Sequence, residues 1–267
     1  MATPDTTIED AIAAWQQTTL TGAQLMRVMV SHGAWTVAIS LAAADEAMSS
    51  NALSRLLISV DDEGVKRLFV FSGDEAYRAY QTETGDDRVQ TFLTVSGAWL
   101  FQLPLEGVDF VAIDPYTDHN IAYDRNHLES LAAIARAVVI ERALIDLRAG
   151  GAATEAETHA LIKKVADYQG FLLALRELDG RMVLAYAPDS NARALAAVFT
   201  HDDAFGPFSR QQDDPTLRSI ALDGRSLFSQ LRGMGLDGIV FNCAGPSKPV
   251  AFALGIADVV LRMARRG

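Results

Sequence analysis

One cysteine, Cys243, stands in 267 residues. An intramolecular disulfide is therefore excluded, and so is a multi-thiolate zinc site; stability has to come from a packed core, and a reducing, cytoplasmic setting is expected. Positive charge is also scarce: 23 Lys and Arg face 34 Asp and Glu, a formal net charge of −11. A field of that sign repels phosphate backbones and anionic lipid, so nucleic acid and membrane surfaces are not expected partners. Long hydrophobic runs are missing as well. The most apolar stretch, Leu131 to Ile145, is broken by Arg136, Glu141 and Arg142, which argues against a membrane span. Met1 to Asp10 carries acids and threonines in place of a basic segment and an apolar one, so no export signal is expected. The remainder, 49% hydrophobic, is the composition of a well-packed globular chain.

What the sequence does contain is an internal duplication. Leu25–Trp35 is answered by Leu161–Phe171, and Arg55–Val60 by Arg181–Tyr186. Phe71 of Val70-Phe71-Ser72 and Phe199 of Val198-Phe199-Thr200 lie 128 positions apart. Leu100-Phe101 is matched by Leu227-Phe228, and Val108–Pro115 by Leu236–Cys243. The matches keep one order along the chain, which single chance similarities would not.

Each copy reads as a helix, a three-strand meander, a short helix, a strand, another short helix and a final strand pair. Trp35, Val37, Ile39 and Leu41 alternate as in a strand with one covered face. Asp61-Asp-Glu-Gly64 and Pro188-Asp-Ser-Asn191 supply turn chemistry. Helix starts are marked by Thr6-x-x-Glu9, Thr21-x-x-Gln24 and Thr154-x-x-Glu157. Between Asn126 and Arg148, Leu128, Leu131, Ala135, Val138 and Ile145 form a helical stripe that Gly150-Gly151 ends. The expected fold class is α+β: two tandem copies, 1–149 and 150–267, of a small domain whose mostly antiparallel sheet is covered by helices.

Phe71-Ser-Gly-Asp-Glu-Ala-Tyr77 and Val240-Phe-Asn-Cys-Ala-Gly245 resemble the SseB family, the bacterial enhanced-serine-sensitivity proteins. The resemblance covers roughly 55–124 and 181–254. The family's Asn-Pro-Gly run is split here between Asp114-Pro115 and Asn242-Cys243-Ala244-Gly245. The resemblance implies a small α+β domain used twice and carries over no catalytic residue.

Motifs for chemistry are thin. Gly233-Met-Gly-Leu-Asp-Gly238 matches the dinucleotide fingerprint, but a helix is expected before it and a strand after it, the reverse of a phosphate-binding loop. His32, His119, His127, His159 and His201 do not pair at metal-helix spacing, and no metal or cofactor is expected. The acids of His201-Asp202-Asp203 are expected to cap a helix, and Trp99, Phe101 and Phe110 to lie in the core. Cys243 reads as a structural thiol.

With no convergent polar set, the expected function is a non-enzymatic protein-binding, adaptor or chaperone-like role. Its contacts are expected in two corresponding strand-end loops, Asp114, Pro115 and Tyr116 in one copy and Asn242, Cys243 and Gly245 in the other. The alternative is a small-molecule sensor or enzyme with a site formed between the copies from Asp114, His119, His127 and Cys243. A homodimer through the helix Leu128–Ile145 is a further possibility.

Overall fold

The structure is a computed structural model, and it describes residues 7–39, 56, 58–85, 92–103, 105, 107–150 and 154–264. Leu41, Arg55 and Thr6, singled out above, lie outside the described residues. The chain divides into two compact units, Met1–Val138 and Val139–Gly267. The division falls inside a helix, whereas Gly150, at φ +64°, follows that helix's last residue.

Unit 1 opens with α1 (Ile8–Gln16) and α2 (Gly22–Ser31). Thr7 caps α1, its hydroxyl accepting from Asp10 N at 3.1 Å; the cap sits one residue later than the Thr6 expected, which frees Glu9 for another task. At α2 the expected capping box of Thr21 and Gln24 is present. The sheet strands follow as β1 (Trp35–Ala38), β2 (Ile58–Val60), β3 (Lys66–Phe71), β4 (Phe92–Val95), β5 (Phe110–Ile113) and β6 (Ile121–Asp124). Helices α3 (Asp74–Thr84) and α4 (Gly97–Leu100) are interleaved, and α5 (Arg125–Ala149) leaves the sheet. The strand order is β4-β1-β3-β5-β6, with β2 paired on β3. β3 and β5 are parallel; the other pairs are antiparallel. One face is filled by Ile8 and Ile12 of α1, Leu25 and Met29 of α2, Trp35, Leu68, Val111, and Leu131 and Ile134 of α5.

Unit 2 repeats the plan. After α6 (Glu155–Asp167), capped by the expected Thr154–Glu157 box, come β7 (Phe171–Leu178), β8 (Arg181–Leu184), β9 (Leu195–Phe199), β10 (Arg218–Leu222), β11 (Gly238–Phe241) and β12 (Val250–Ala253). Helices α7 (Asp202–Gln212), α8 (Gly224–Arg232) and α9 (Gly255–Ala264) complete it. The order is β10-β7-β9-β11-β12, with β8 on β7 and β9 parallel to β11. Ile140 and Leu144 of α5 join Phe171, Leu173, Leu227, Phe228 and Ile239 on one face. Phe199, Phe205 and Phe208, with Leu195 and Leu217, close the other. Fully burying one such Phe or Leu stabilises by roughly 1.5–3 kcal/mol. Among the described residues no helix is long and apolar enough to cross a membrane.

The repeat extends to individual hydrogen bonds. Lys66 N donates to Asp109 Oδ2 and Ala194 N to Asp237 Oδ2, at 2.8 and 2.7 Å. Asp61 accepts from Glu63 N and Val65 N; Asp189 accepts from Asn191 N and Arg193 N, the same turn 128 positions on. Gly97 and Gly224 press helix backbone onto the ends of α2 and α6, where a Cβ would lie 2.2 Å from Met29 O or Val165 O. One alignment changes. Ile58 pairs with Leu68 and Tyr186 with Ala196, so the equivalent of Ile58 is Tyr186, whereas the sequence match of Arg55 with Arg181 makes it Leu184. Similar apolar spacing in the middle strand hid a two-residue shift that only backbone pairing fixes.

Other local expectations divide. The Gly233–Gly238 run follows α8 and precedes β11, as read. His201, not the acids, is the N-cap of α7, its Nδ1 accepting from Asp203 N. Phe101 is buried, but Trp99 is 38% exposed. Its neighbour Leu100 points to the core instead, because so short a helix has only one inward row.

Candidate functional site

The central parallel strands of each unit end side by side, and a polar cluster forms there. In unit 1, Asp114 N extends the β3–β5 ladder by donating to Val70 O at 2.9 Å. Asp114 then adopts φ +46°, a conformation Asp and Asn tolerate, and its Oδ1 accepts Ser72 N at 2.7 Å. Ser72 Oγ donates to Glu9 Oε1 of α1 at 3.1 Å. The carboxylates of Glu9 and Asp114 thus flank one serine.

Unit 2 builds the same clip from different side chains. Asn242 N donates to Val198 O at 2.8 Å, φ is +52°, and Oδ1 accepts Thr200 N at 3.0 Å. Thr200 Oγ donates to Glu141 Oε1 of α5 at 2.6 Å, and Asn242 Nδ2 donates to the same oxygen at 3.1 Å. Thr200, Asn242 and Glu141 are 0%, 2% and 9% exposed, so this triad is buried and hydrogen-bonded.

Electrostatics separate the two. Burial pushes the Asp114 carboxyl above its ordinary value, against the Ser72 donors; the Glu9 charge adds to the rise and His32 opposes it. Burial also works to raise Glu9. Its own backbone N–H, the hydroxyls of Thr7 and Ser72 and the charge of His119 nevertheless bring it below the ordinary value. His32 Nε2 and His119 Nδ1 are buried without a hydrogen-bond partner. The position of His119 is held in unit 2 by Ser247, whose Oγ is likewise buried and unpartnered, and that of His32 by Tyr168, whose hydroxyl donates to Thr200 O at 2.6 Å.

The residues expected from sequence meet different fates. Asp114 and Asn242 are the clips themselves, and His119 lies in the field of Glu9. Pro115 is buried, and Gly245, at φ +106°, sits where a Cβ would lie 2.9 Å from Ala204 Cα; both serve packing. Tyr116 is 57% exposed at φ +65°, its ring 6.1 Å from that of Tyr80. Burial pushes the Cys243 thiol up to about 11, the opposite of what a nucleophile needs. His127 is exposed and its Nδ1 lies 2.6 Å from Asp124 Oδ1. Asp124 pairs with Phe110, the far end of β5 from Asp114, roughly 13 Å away at about 3.3 Å per strand residue. His127 is therefore not brought to Asp114.

Sequence reasoning missed Glu9, Ser72 and His32, and Thr200 and Glu141. Ser72 and Thr200 stood in the repeated Val-Phe-Ser/Thr motif, and their recurrence was the available signal. Glu9 looked like a capping partner and Glu141 like a charge breaking an apolar run. An open depression of about 450 Å³ lined by Glu63, Asp109, Asp124 and Arg125 holds none of the cluster residues. Among the described residues no group of three or more His, Cys, Asp or Glu side chains is placed to hold a metal ion.

No family profile and no curated protein sequence matches this chain. It is similar to a solved structure, Anabaena Tic22 (protein transport), at 14% identity over 81% of this chain and 88% of that one, with a TM-score of 0.19. A likeness that weak carries no weight for fold or function.

Proposed function

We propose that the chain is a non-enzymatic, cytoplasmic protein-binding adaptor of SseB-like type that takes up an extended apolar segment of another polypeptide on the sheet of unit 2. One observation supports this above the rest: a row of apolar side chains left open at the end of that sheet. Met182, Leu184 and Tyr186 alternate onto the face that carries Leu173 and Leu175, and Ile220 stands opposite Leu173 on β10. Leu175 and Leu184 are half-buried, whereas Met182, Tyr186 and Ile220 are 51%, 46% and 38% exposed. Apolar side chains exposed along one sheet face, with Glu177 opposite Met182 and Arg218 opposite Leu175, are the kind of surface that marks contact sites on soluble domains. Methionine and tyrosine suit variable apolar partners. The net charge of −11 favours a segment with basic flanks.

The test is selection of a displayed random-peptide library on the purified chain. The reading expects enriched peptides that alternate apolar residues with Lys or Arg. Met182→Asp with Ile220→Asp should weaken them at least about tenfold, a loss of about 1.4 kcal/mol, while leaving the melting temperature unchanged, because both side chains are exposed. No enrichment, or binding indifferent to these substitutions, refutes it.

A further inference from the structure

We propose that unit 1 is a proton-responsive module: Asp114, held with Glu9 on either side of Ser72, takes up a proton, and that proton sets how firmly α1 is docked on the strand ends. The geometry is a carboxylate–serine–carboxylate chain, with Ser72 Oγ on Glu9 at 3.1 Å and Ser72 N on Asp114 at 2.7 Å, and Asp114 is 1% exposed. A hydroxyl and an N–H satisfy one oxygen of each carboxylate. Neither carboxylate can donate to the other's cluster unless it carries a proton.

Unit 2 supplies the internal control. There Asn242 occupies the place of Asp114, and its Nδ2 donates to Glu141; a carboxylate has no such donor unless it is protonated. The two histidine positions of unit 1 are Tyr168 and Ser247 in unit 2, so Glu141 is the one titratable carboxylate left in that clip. The same fold therefore carries one clip locked by an amide and one closed by a proton.

The groups around the unit 1 clip are few. Glu9 comes from α1, Asp114 and His119 from the turn after β5, and His32 from the end of α2. Arg27, buried on α2, is itself engaged. Asp10 on α1, Asp118 on the turn after β5, and Asp74 and Glu75 at the start of α3 are exposed to solvent. The sign follows from the two carboxyls. Asp114 is raised, so its contribution is present below its ordinary value of 3.8 and is lost as pH rises through its folded value. Glu9 is lowered, so its contribution is present above its ordinary 4.5 and is lost as pH falls through its folded value. Acidification therefore tightens unit 1 as Asp114 takes up its proton and loosens it as Glu9 takes up its own. The element that responds is α1, nine residues long and docked through Ile8, Ala11 and Ile12.

Carboxyl NMR titration of the full chain, with hydrogen exchange corrected for intrinsic rate at each pH, tests this. In the wild type one carboxyl should titrate above the ordinary aspartate value and vanish in Asp114→Asn. Protection of residues 8–16 should rise as pH falls through the folded value of Asp114, which lies above the ordinary 3.8, by at most about tenfold per pH unit, the limit for one linked proton. In Asp114→Asn that protection should be high and flat, and residues 171–178 should not respond in either protein. Ordinary titration of both carboxyls, or a wild-type slope retained in Asp114→Asn, overturns the proposal. Should Asp114→Asn not fold, Asn242→Asp reads the same point in reverse: residues 140–149 should acquire the pH dependence, and their failure to do so also overturns it.

Discussion

Removing one hydroxyl tests how far the two clips differ in energy. Thr200 Oγ donates 2.6 Å to Glu141 Oε1 and accepts 3.1 Å from Asn242 Nδ2, with all three residues no more than 9% exposed. Thr200→Val keeps the shape and deletes both bonds. A hydrogen bond to a buried charge contributes roughly 1.5–3 kcal/mol, and an amide proton left with one acceptor fewer adds to the loss, so the variant should destabilise unit 2 by about 2–4 kcal/mol. In unit 1 the same deletion, Ser72→Ala, removes a 3.1 Å bond between half-buried partners and should cost only about 1 kcal/mol. The assay is favoured by composition: Trp15, Trp35 and Trp99 all lie in unit 1, so tryptophan fluorescence in urea follows that unit alone. Unit 2 is read from amide exchange of β9 and β11, which should accelerate roughly 30- to 700-fold in Thr200→Val, the same loss at about 1.4 kcal/mol per tenfold. If Thr200→Val stays within about 0.5 kcal/mol of wild type, or Ser72→Ala costs as much, then burial does not set the strength of these clips and the reasoning fails.

Three further outcomes follow from geometry elsewhere. Gly97→Ala and Gly224→Ala each drive a Cβ to 2.2 Å from a backbone oxygen and should lose about 3 kcal/mol or more, whereas Gly233→Ala, with nothing within 4 Å and φ −91°, should be nearly silent in the same melting experiment. The Cys243 thiol, raised to about 11, should react with iodoacetamide at neutral pH far more slowly than free cysteine and should speed up only on unfolding. The Asp189 carboxyl is lowered to about 2 by the side-chain hydrogen bond from Arg193 and by the backbone N–H of the same residue. Its contribution is therefore present above the ordinary 3.8 and lost as pH falls through about 2, and Arg193→Gln should move its NMR titration upward.

The architecture was legible because it rests on local signals read twice. Period-two alternation at Trp35, Val37 and Ile39, the boxes at Thr21 and Thr154, and the 128-residue recurrence of Val-Phe-Ser/Thr are each written within a few residues, and the described structure repeats them as strands, caps and parallel ladders. Less legible was anything that depends on which side chains meet across the sheet. Glu9 and Ser72 are 63 positions apart, and Glu141 and Asn242 are 101. Nothing local distinguishes a capping glutamate from one that reaches a strand end. The shift in the middle strand has the same origin, since Arg55–Val60 and Arg181–Tyr186 are alike in pattern and only the bridges to Leu68 and Ala196 set their register.

A duplicated chain offers a control that a single domain lacks. Where both units keep a feature, such as the Asp turn at 61 and 189 or the pressed glycine at 97 and 224, the shared fold explains it. Where they differ within a shared backbone scheme, the fold does not explain the difference, because the other unit forms the same sheet without it. The strand-end clips are such a place: Asp114, His32 and His119 stand where Asn242, Tyr168 and Ser247 suffice. An isolated carboxylate buried beside another costs stability, and the amide in unit 2 shows that this fold does not require it. The titratable groups of unit 1 and the open apolar row of unit 2 are thus features that folding alone leaves unexplained.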